Sequence, residues 1–531
     1  MVAQEDPQPL VVVILDGWGI SMVEQGNAIR QAKTPIMDMF AASYPAISLL
    51  AASVEAGLPW GEVGNSETGH TNIGAGQVRY QPRPRIDQAI TDGSFFSNAA
   101  FTGAINHVQQ NRSDLHLIGL VGPGAVHAHS DHLFALLKLA ANAKLQGRVY
   151  LHLFTDGRDT QAQSATEYMA EVEAKIKEYD IGRIASVSGR FYAMDRNQNW
   201  DRTKQAYDVL TGGPRQAGAS GGSDAVVRAY KAGVHDEMIT PTAITRGGGP
   251  IGDIGDNDAV IFFNWRPDRA RQLTAAFVDT AFVGFERPQL HNLYFASMSS
   301  YARELNTAVA FAEPPIALPV AKIISDAGLR QLHVAESEKY AHVTYYLNGG
   351  REEPFPNEDH VLIPSPTVTN FAQTPAMSAL GITAHLIEAL NTKQYNVYFV
   401  NYANADMIGH TGNYEATVQA CAFIDQQLGD LYEAVITNNG AMLITSDHGN
   451  AEELVNPKTG AVETDHTNNP VPLFLVAESL AHDRQRTAQE IAAIWSTPVG
   501  VLADVAPTIL EILGLPQPPA MTGVSLMGNL N

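Results

Sequence analysis

Short, almost uninterrupted apolar runs alternate along the chain with longer stretches of helical periodicity. Runs at Leu10–Leu15, Leu115–Val121, Val149–Thr155, Ile184–Ser188, Ala259–Asn264, Asn396–Asn401 and Ala441–Thr445 read as strands. Their apolar residues are consecutive rather than alternating with polar ones, so both faces of these strands are expected to be covered. The stretches His132–Leu145, Ala165–Tyr179, Met377–Leu390 and Glu415–Asn438 read as helices, the last closed by Gly440 as its C-cap. Strands and helices in alternation predict an α/β protein with mainly parallel sheets.

The polar residues that follow the strands fall into two chemical groups. After Leu15, Asn401 and Thr445 come acids and histidines: Asp16, Asp406 with His410, and Asp447 with His448. After Val121, Thr155, Ser188 and Asn264 come His127, Arg158 with Asp159, Arg190 with Arg196, and Arg266 with Arg269. Ligands bind at the carboxyl ends of strands in open α/β sheets, so each group is expected to form a site on its own sheet. The first group is split in sequence around the second, which predicts one domain inserted into another. Proline-containing stretches at Gln77–Arg85 and Ala312–Val320 are the linker candidates, and the glycine-rich stretches 212–222 and 247–255 are read as surface loops.

Composition narrows the partners. A chain of 531 residues that is 45% hydrophobic is long enough for two domains with substantial cores. Its 34 Lys+Arg against 56 Asp+Glu leave a formal charge of -22, which argues against nucleic acid or an anionic membrane as partner. The single cysteine, Cys421, excludes an intrachain disulfide and a zinc site built mainly from cysteines; it lies in a helical pattern and is read as core. No run approaches the roughly 18 apolar residues of a membrane span, and the polar, acidic opening residues do not resemble a signal peptide. A cytoplasmic protein is expected.

Carboxylates with imidazoles are ligands for hard to borderline divalent cations, with imidazole shifting preference toward manganese, zinc or cobalt over calcium. Asp406 and His410 are spaced for one helical turn or a tight loop; Asp447 and His448 are adjacent, as in a loop that wraps an ion. Ser66, in Gly64-Asn65-Ser66-Glu67-Thr68-Gly69-His70, is a hydroxyl that a base or metal would turn into a nucleophile. Each motif alone is weak: any one of 17 histidines is more often a core or surface residue, and Asp-Gly after a strand is ordinary turn chemistry. Their coincidence points to phosphoryl transfer. Guanidinium forks around His127 imply a small ligand bearing both phosphate and carboxylate, and Lys339 is a cation able to approach the phosphoryl group.

The chain resembles the cofactor-independent phosphoglycerate mutases of the alkaline phosphatase superfamily. The likeness runs through Leu15–Gly19, Gly64–Gly76, Thr155–Thr160, Ser188–Arg196, Phe262–Leu273, Glu338–Asp359, Asn401–Gly412 and Ser446–Glu453. It implies a phosphatase-like domain at about 1–78 plus 313–531, with a phosphotransferase domain inserted at about 79–312. One divalent ion would be held by Asp406, His410 and His466, and a second by Asp16, Ser66, Asp447 and His448. Manganese is the expected metal, with magnesium, cobalt or zinc as alternatives, and no 2,3-bisphosphoglycerate is required. Ser66 would carry the phosphoryl group during interconversion of 3- and 2-phosphoglycerate in glycolysis and gluconeogenesis. His127, Arg158, Asp159, Arg190, Arg196, Arg266 and Arg269 would hold the glycerate, with Lys339 near the phosphoryl group, in a monomer that closes at the two linkers to keep water out. The sequence departs from the family pattern at Val121–Ala125, which leaves His127 or His129 as the substrate contact, at Thr68, and at the proline-rich Arg79–Arg85. A plain metal-dependent phosphomonoesterase, a phosphosugar mutase, or a catalytically silent metal-bound protein are the rival readings; the arginine group and the intact Ser66 weigh against them.

Overall fold

The computed structural model describes residues 9–214, 218–456 and 459–530; the opening residues up to 8 lie outside it. The chain forms two compact units, one of residues up to Gln81 together with those from Pro315, the other of Pro82–Pro314. Each is built on its own sheet.

The first unit has an eight-stranded sheet in the order Glu358–Ile363, Gln331–Glu336, Val397–Tyr402, Leu10–Leu15, Ala441–Thr445, Val471–Val476, Ala46–Leu50, Gly500–Val501. All neighbours run parallel except Val471–Val476, which is antiparallel to both of its partners. The central Leu10–Leu15 strand shows why its apolar run is unbroken. Val11, Val13 and Leu15 enter one core with helix Tyr414–Thr437, while Leu10, Val12 and Ile14 enter another with helix Val505–Ile512.

The second unit carries a seven-stranded sheet in the order Ala308–Val309, Tyr294–Ser297, Ala259–Phe262, Leu115–Leu120, Val149–Thr155, Arg183–Gly189, Thr242–Ala243, parallel but for the last. Its core is one continuous buried cluster that includes Phe154, Phe262 and Tyr207. The mainly parallel α/β architecture read from the sequence is the observed one.

Two local expectations need correction. Helix Tyr414–Thr437 ends on Asn438, and Asn439 takes the left-handed conformation expected of Gly440. Gly440 serves close approach instead: a Cβ there would lie 2.7 Å from the Pro9 carbonyl oxygen. The stretch Gln77–Arg85 is not all linker, since helix Pro82–Asp92 begins within it, with prolines confined to its first turn where they cost no hydrogen bond. Cys421 is fully buried, as read. Among the described residues no helix is long and apolar enough to cross a membrane.

Candidate functional site

The strand ends of the first unit bring Asp16, Asp406, Asp447 and His448 together, all buried. Asp16 follows the central strand, and the chain then turns at Gly17 with φ 73°. A Cβ on Gly17 would lie 2.8 Å from the Asp406 Cα, so glycine is what lets these two acid-bearing backbones touch. Asp406 and His410 lie on and just after the short helix Asn404–Gly409, one turn apart. Ser66 opens helix Ser66–Ala75, whose N-cap Asn65 accepts a hydrogen bond from the Thr68 amide at 2.9 Å. The Ser66 hydroxyl thus sits at the positive end of a helix, a position that favours an added phosphoryl charge.

Around Ser66 Oγ lie His448 Nε2 at 2.8 Å, Lys339 Nζ at 2.9 Å and Asp16 Oδ1 at 3.2 Å. Lys339 also donates to Asp16 Oδ1 at 2.7 Å and to Asp406 Oδ2 at 2.6 Å. Burial disfavours the ammonium charge, but the Asp16 and Asp406 carboxylates outweigh it and hold Lys339 protonated. Burial likewise opposes charge on His448, and Asp447 with the neighbouring acids overcomes it, raising the imidazole to about 9.

Whether these residues suit divalent ions is tested by their donors. Asp406 Oδ1 stands 3.2 Å from His410 Nε2 and 3.1 Å from His466 Nε2, and the two Nε2 atoms face each other at 3.0 Å. Both rings turn their Nδ1 atoms to backbone carbonyls, Thr464 at 2.7 Å and Gly64 at 2.8 Å. Those bonds place the hydrogens on Nδ1 and point two Nε2 lone pairs and a carboxylate at one spot, the arrangement of a metal-binding imidazole pair. In the second set, Asp447 Oδ2 is buried without a hydrogen bond; the nearer of two imidazole nitrogens beside it, His70 Nδ1 at 3.2 Å, donates to the Ser66 carbonyl at 2.9 Å. Asp16 and Asp406 gather with His448 as a second cluster of metal-ligating atoms, while His70, lying with Asp16 and Asp447, has its Nδ1 hydrogen on the Ser66 carbonyl and supports the acids rather than offering a lone pair. Both sets fit a divalent cation.

His70 and Asn401 were not singled out from the sequence. Asn401 donates to Asp16 Oδ2 at 2.8 Å and lies 3.0 Å from His70 Nε2, which orients the acid. A further cluster, His333, Glu358 and His360, looks similar in composition. There, however, Glu358 is already engaged by Asn348 and the Phe355 amide and paired with His360, and His333 faces the Val343 carbonyl and Gln331. It is a closed hydrogen-bonded network.

The second group gathers in the second unit. Arg190, only 3% exposed, bridges Asp156 Oδ1 and Asp159 Oδ2 at 2.5 Å each. His127 Nε2 is 3.9 Å from Asp159 and its Nδ1 3.7 Å from Asp268, which also binds Arg196 at 2.6 Å and Arg266 at 3.3 Å. Arg269 donates to the Met194 carbonyl at 3.2 Å; burial and then the charges of Arg190, Arg196 and Arg158 lower its affinity for a proton. Arg158 is exposed and 3.6 Å from Glu237. Burial and the Arg190 charge press His127 down to about 4, so it is neutral at pH 7. His129 stands apart as the N-cap of helix Ser130–Asn142. Asp156 and Asp268, flanking arginines in the sequence, are the acids that the motif reading passed over.

Parallel sheets that gather acids, imidazoles and a buried hydroxyl at strand ends describe the class of metal-assisted α/β enzymes. The sequence model for the BPG-independent PGAM N-terminus matches residues 86–303. The 2,3-bisphosphoglycerate-independent phosphoglycerate mutase of Thermomicrobium roseum is 48% identical over 98% of this chain and 98% of its own length. That of Chloroflexus aggregans is 46% identical over 98% and 99%. A crystal structure of Leishmania mexicana phosphoglycerate mutase, at low cobalt concentration, is similar with a TM-score of 0.57 and 29% identity, covering 98% of this chain and 97% of that one. The chain belongs to the family of 2,3-bisphosphoglycerate-independent phosphoglycerate mutases.

Proposed function

We propose that the chain interconverts 3-phosphoglycerate and 2-phosphoglycerate through a phosphoserine at Ser66, with two divalent ions, manganese first among them, and without 2,3-bisphosphoglycerate. The observation that carries this reading is the buried Ser66 hydroxyl at a helix start, within 3.2 Å of Asp16, His448 and Lys339. Asp406, His410 and His466 would hold one ion, and Asp16, Ser66, Asp447 and His448 the other. Bound there, the ions lower the pKa of the serine hydroxyl and balance phosphoryl charge.

Ser66 Oγ forms the new P–O bond as the substrate's ester bond to phosphorus breaks, and the hydroxyl's proton is made good on the departing glycerate oxygen. Lys339 offsets negative charge beside Ser66 Oγ. His127, Arg158, Asp159, Arg190, Arg196, Arg266 and Arg269 hold the glycerate through its carboxylate and hydroxyls until its other hydroxyl attacks the phosphoserine. A neutral His127 can donate one hydrogen bond and accept another, which suits a glycerate hydroxyl. Water must stay away from the phosphoserine meanwhile, or the product is free phosphate. The net charge of -22 supports a small-molecule substrate over nucleic acid, and we take the chain to act as a cytoplasmic monomer.

Phosphorus NMR of manganese-loaded protein with 3-phosphoglycerate, repeated after chelation, tests the reading. A chelator-sensitive 2-phosphoglycerate signal with little free phosphate is expected, and Ser66→Ala should abolish it in a folded protein. Free phosphate as main product would make the chain a phosphatase, and near-normal turnover by Ser66→Ala would remove the covalent route.

A further inference from the structure

Three separate loops carry most of the proposed ligands: Asp16–Gly19, Ser446–Asn450 and Asp465–Asn469. One side chain touches all three. Glu452 is 1% exposed, and its Oε2 accepts from the Gly19 amide at 3.1 Å and the Asn450 amide at 2.8 Å. Its Oε1 accepts from Asn469 Nδ2 at 3.0 Å and, in a very short bond, from the Thr467 hydroxyl. All four donors are uncharged, so this is a buried carboxylate satisfied by hydrogen bonds alone.

The packing is equally specific. A Cβ on Gly19 or on Gly449 would overlap the Glu452 carboxylate, so two loops give up their side chains to let it in. The loops also meet directly, the Trp18 amide donating to Ser446 Oγ at 3.0 Å and the Thr467 amide to the Gly449 carbonyl at 3.0 Å. We propose that Glu452 is a positioning residue that sets the spacing of Asp16, Asp447, His448 and His466, and so couples the two ion sites to one another.

The inference rests on the two-ion reading and predicts a pattern that general destabilisation does not. Glu452→Gln keeps the shape but turns an NH2 group against one of two donor pairs. It should weaken manganese at both sites by about 10–100-fold. Thr467→Val removes only the arm next to His466. It should weaken the site of Asp406, His410 and His466, the one also lost in His410→Ala, and leave the Asp16 site near wild type.

The experiment is calorimetric titration of the chelated full chain with manganese, with electron paramagnetic resonance of the bound ions and the thermal midpoint of the chelated protein recorded alongside. Two wild-type sites, both weakened in Glu452→Gln and one in Thr467→Val, support the proposal. Wild-type affinities in Glu452→Gln overturn it, as does a fall in chelated-protein stability with unchanged affinities. Should Glu452→Gln fail to fold, equal weakening of both sites, or of neither, in Thr467→Val overturns it. A wild-type chain that takes up fewer than two ions overturns the two-ion reading itself, and the proposal with it.

Discussion

Helix Ser66–Ala75 approaches its neighbours closely through Gly69 and Gly74, and Gly74 makes the tighter approach. A Cβ at Gly74 would lie 2.7 Å from the Leu347 carbonyl carbon and 2.8 Å from its Cα, with the carbonyl oxygen closer still. These are backbone atoms, so no rotamer change relieves the overlap. The carbonyl oxygen is the limiting contact, so restoring an ordinary separation requires the two backbones to part by more than about 1 Å. On the far side, the Leu347 amide bonds to the His342 carbonyl and the His342 amide to the Lys339 carbonyl, each at 3.1 Å. Parting the backbones therefore moves Ser66 relative to Lys339, now 2.9 Å apart. In stability, Gly74→Ala sets about 1–3 kcal/mol of overpacking against about 1 kcal/mol gained in helix propensity. The net loss is roughly 0–2 kcal/mol, a shift of a few degrees. Catalysis should suffer far more, since a misplacement near 1 Å costs on the order of 100-fold. A coupled assay of 2-phosphoglycerate formation, with a thermal melt of the same sample, reads both quantities. Turnover within about threefold of wild type would refute the claim that this contact sets the Ser66 position.

Two further outcomes concern the second unit. Arg190→Lys keeps a cation that can bridge Asp156 and Asp159, which Arg190 does through Nη1 alone, but removes the remaining guanidinium N–H donors, so KM for phosphoglycerate should rise at least about tenfold while manganese affinity is unchanged; a lowered manganese affinity would contradict the division of labour. His127 should stay neutral well below its ordinary range, titrating near 4 in carbon-13 NMR of labelled histidine, because burial and Arg190, with Arg266, outweigh Asp268 and Asp159. Its folded pKa lies below the unfolded value of about 6.5, so the unfolded chain takes up the proton first as pH falls. Stability is therefore unaffected above about pH 6.5 and drains between there and pH 4, by on the order of 1–2 kcal/mol at pH 5, a loss His127→Gln should abolish.

What the sequence disclosed followed the physics of each residue's neighbourhood. Leu10–Leu15 was legible to the residue because burial on both faces writes an unbroken apolar run, and Val149–Thr155 was still legible with His152 alone interrupting it before the closing Thr155. Gln331–Glu336 was not read as a strand, although it is wholly buried, because Gln331, His333 and Glu336 break its run; their partners, Ala321, Val343 and Ser378, come from other segments. Asp16, Asp406, Asp447 and His448 stood out because each is polar directly after an apolar strand or on the turn that follows. Their supports did not.

The difference between those two kinds of residue is physical. Asp16, Asp406 and Asp447 follow a strand closely and are held rigidly there, so their chemistry is written beside a readable element. The side chains that aim them satisfy only one condition: they must meet their donors after folding. Glu452 lies within a recognisable segment, yet its donors are Gly19, Asn450, Thr467 and Asn469, separated by as much as 433 positions. Asn401 reaches back 385 positions to Asp16. Glycine is the nearest thing to a local signal for such long-range demands. Gly17, Gly19, Gly74 and Gly449 each stand where another segment needs the space of a Cβ, and only the structure says which segment that is.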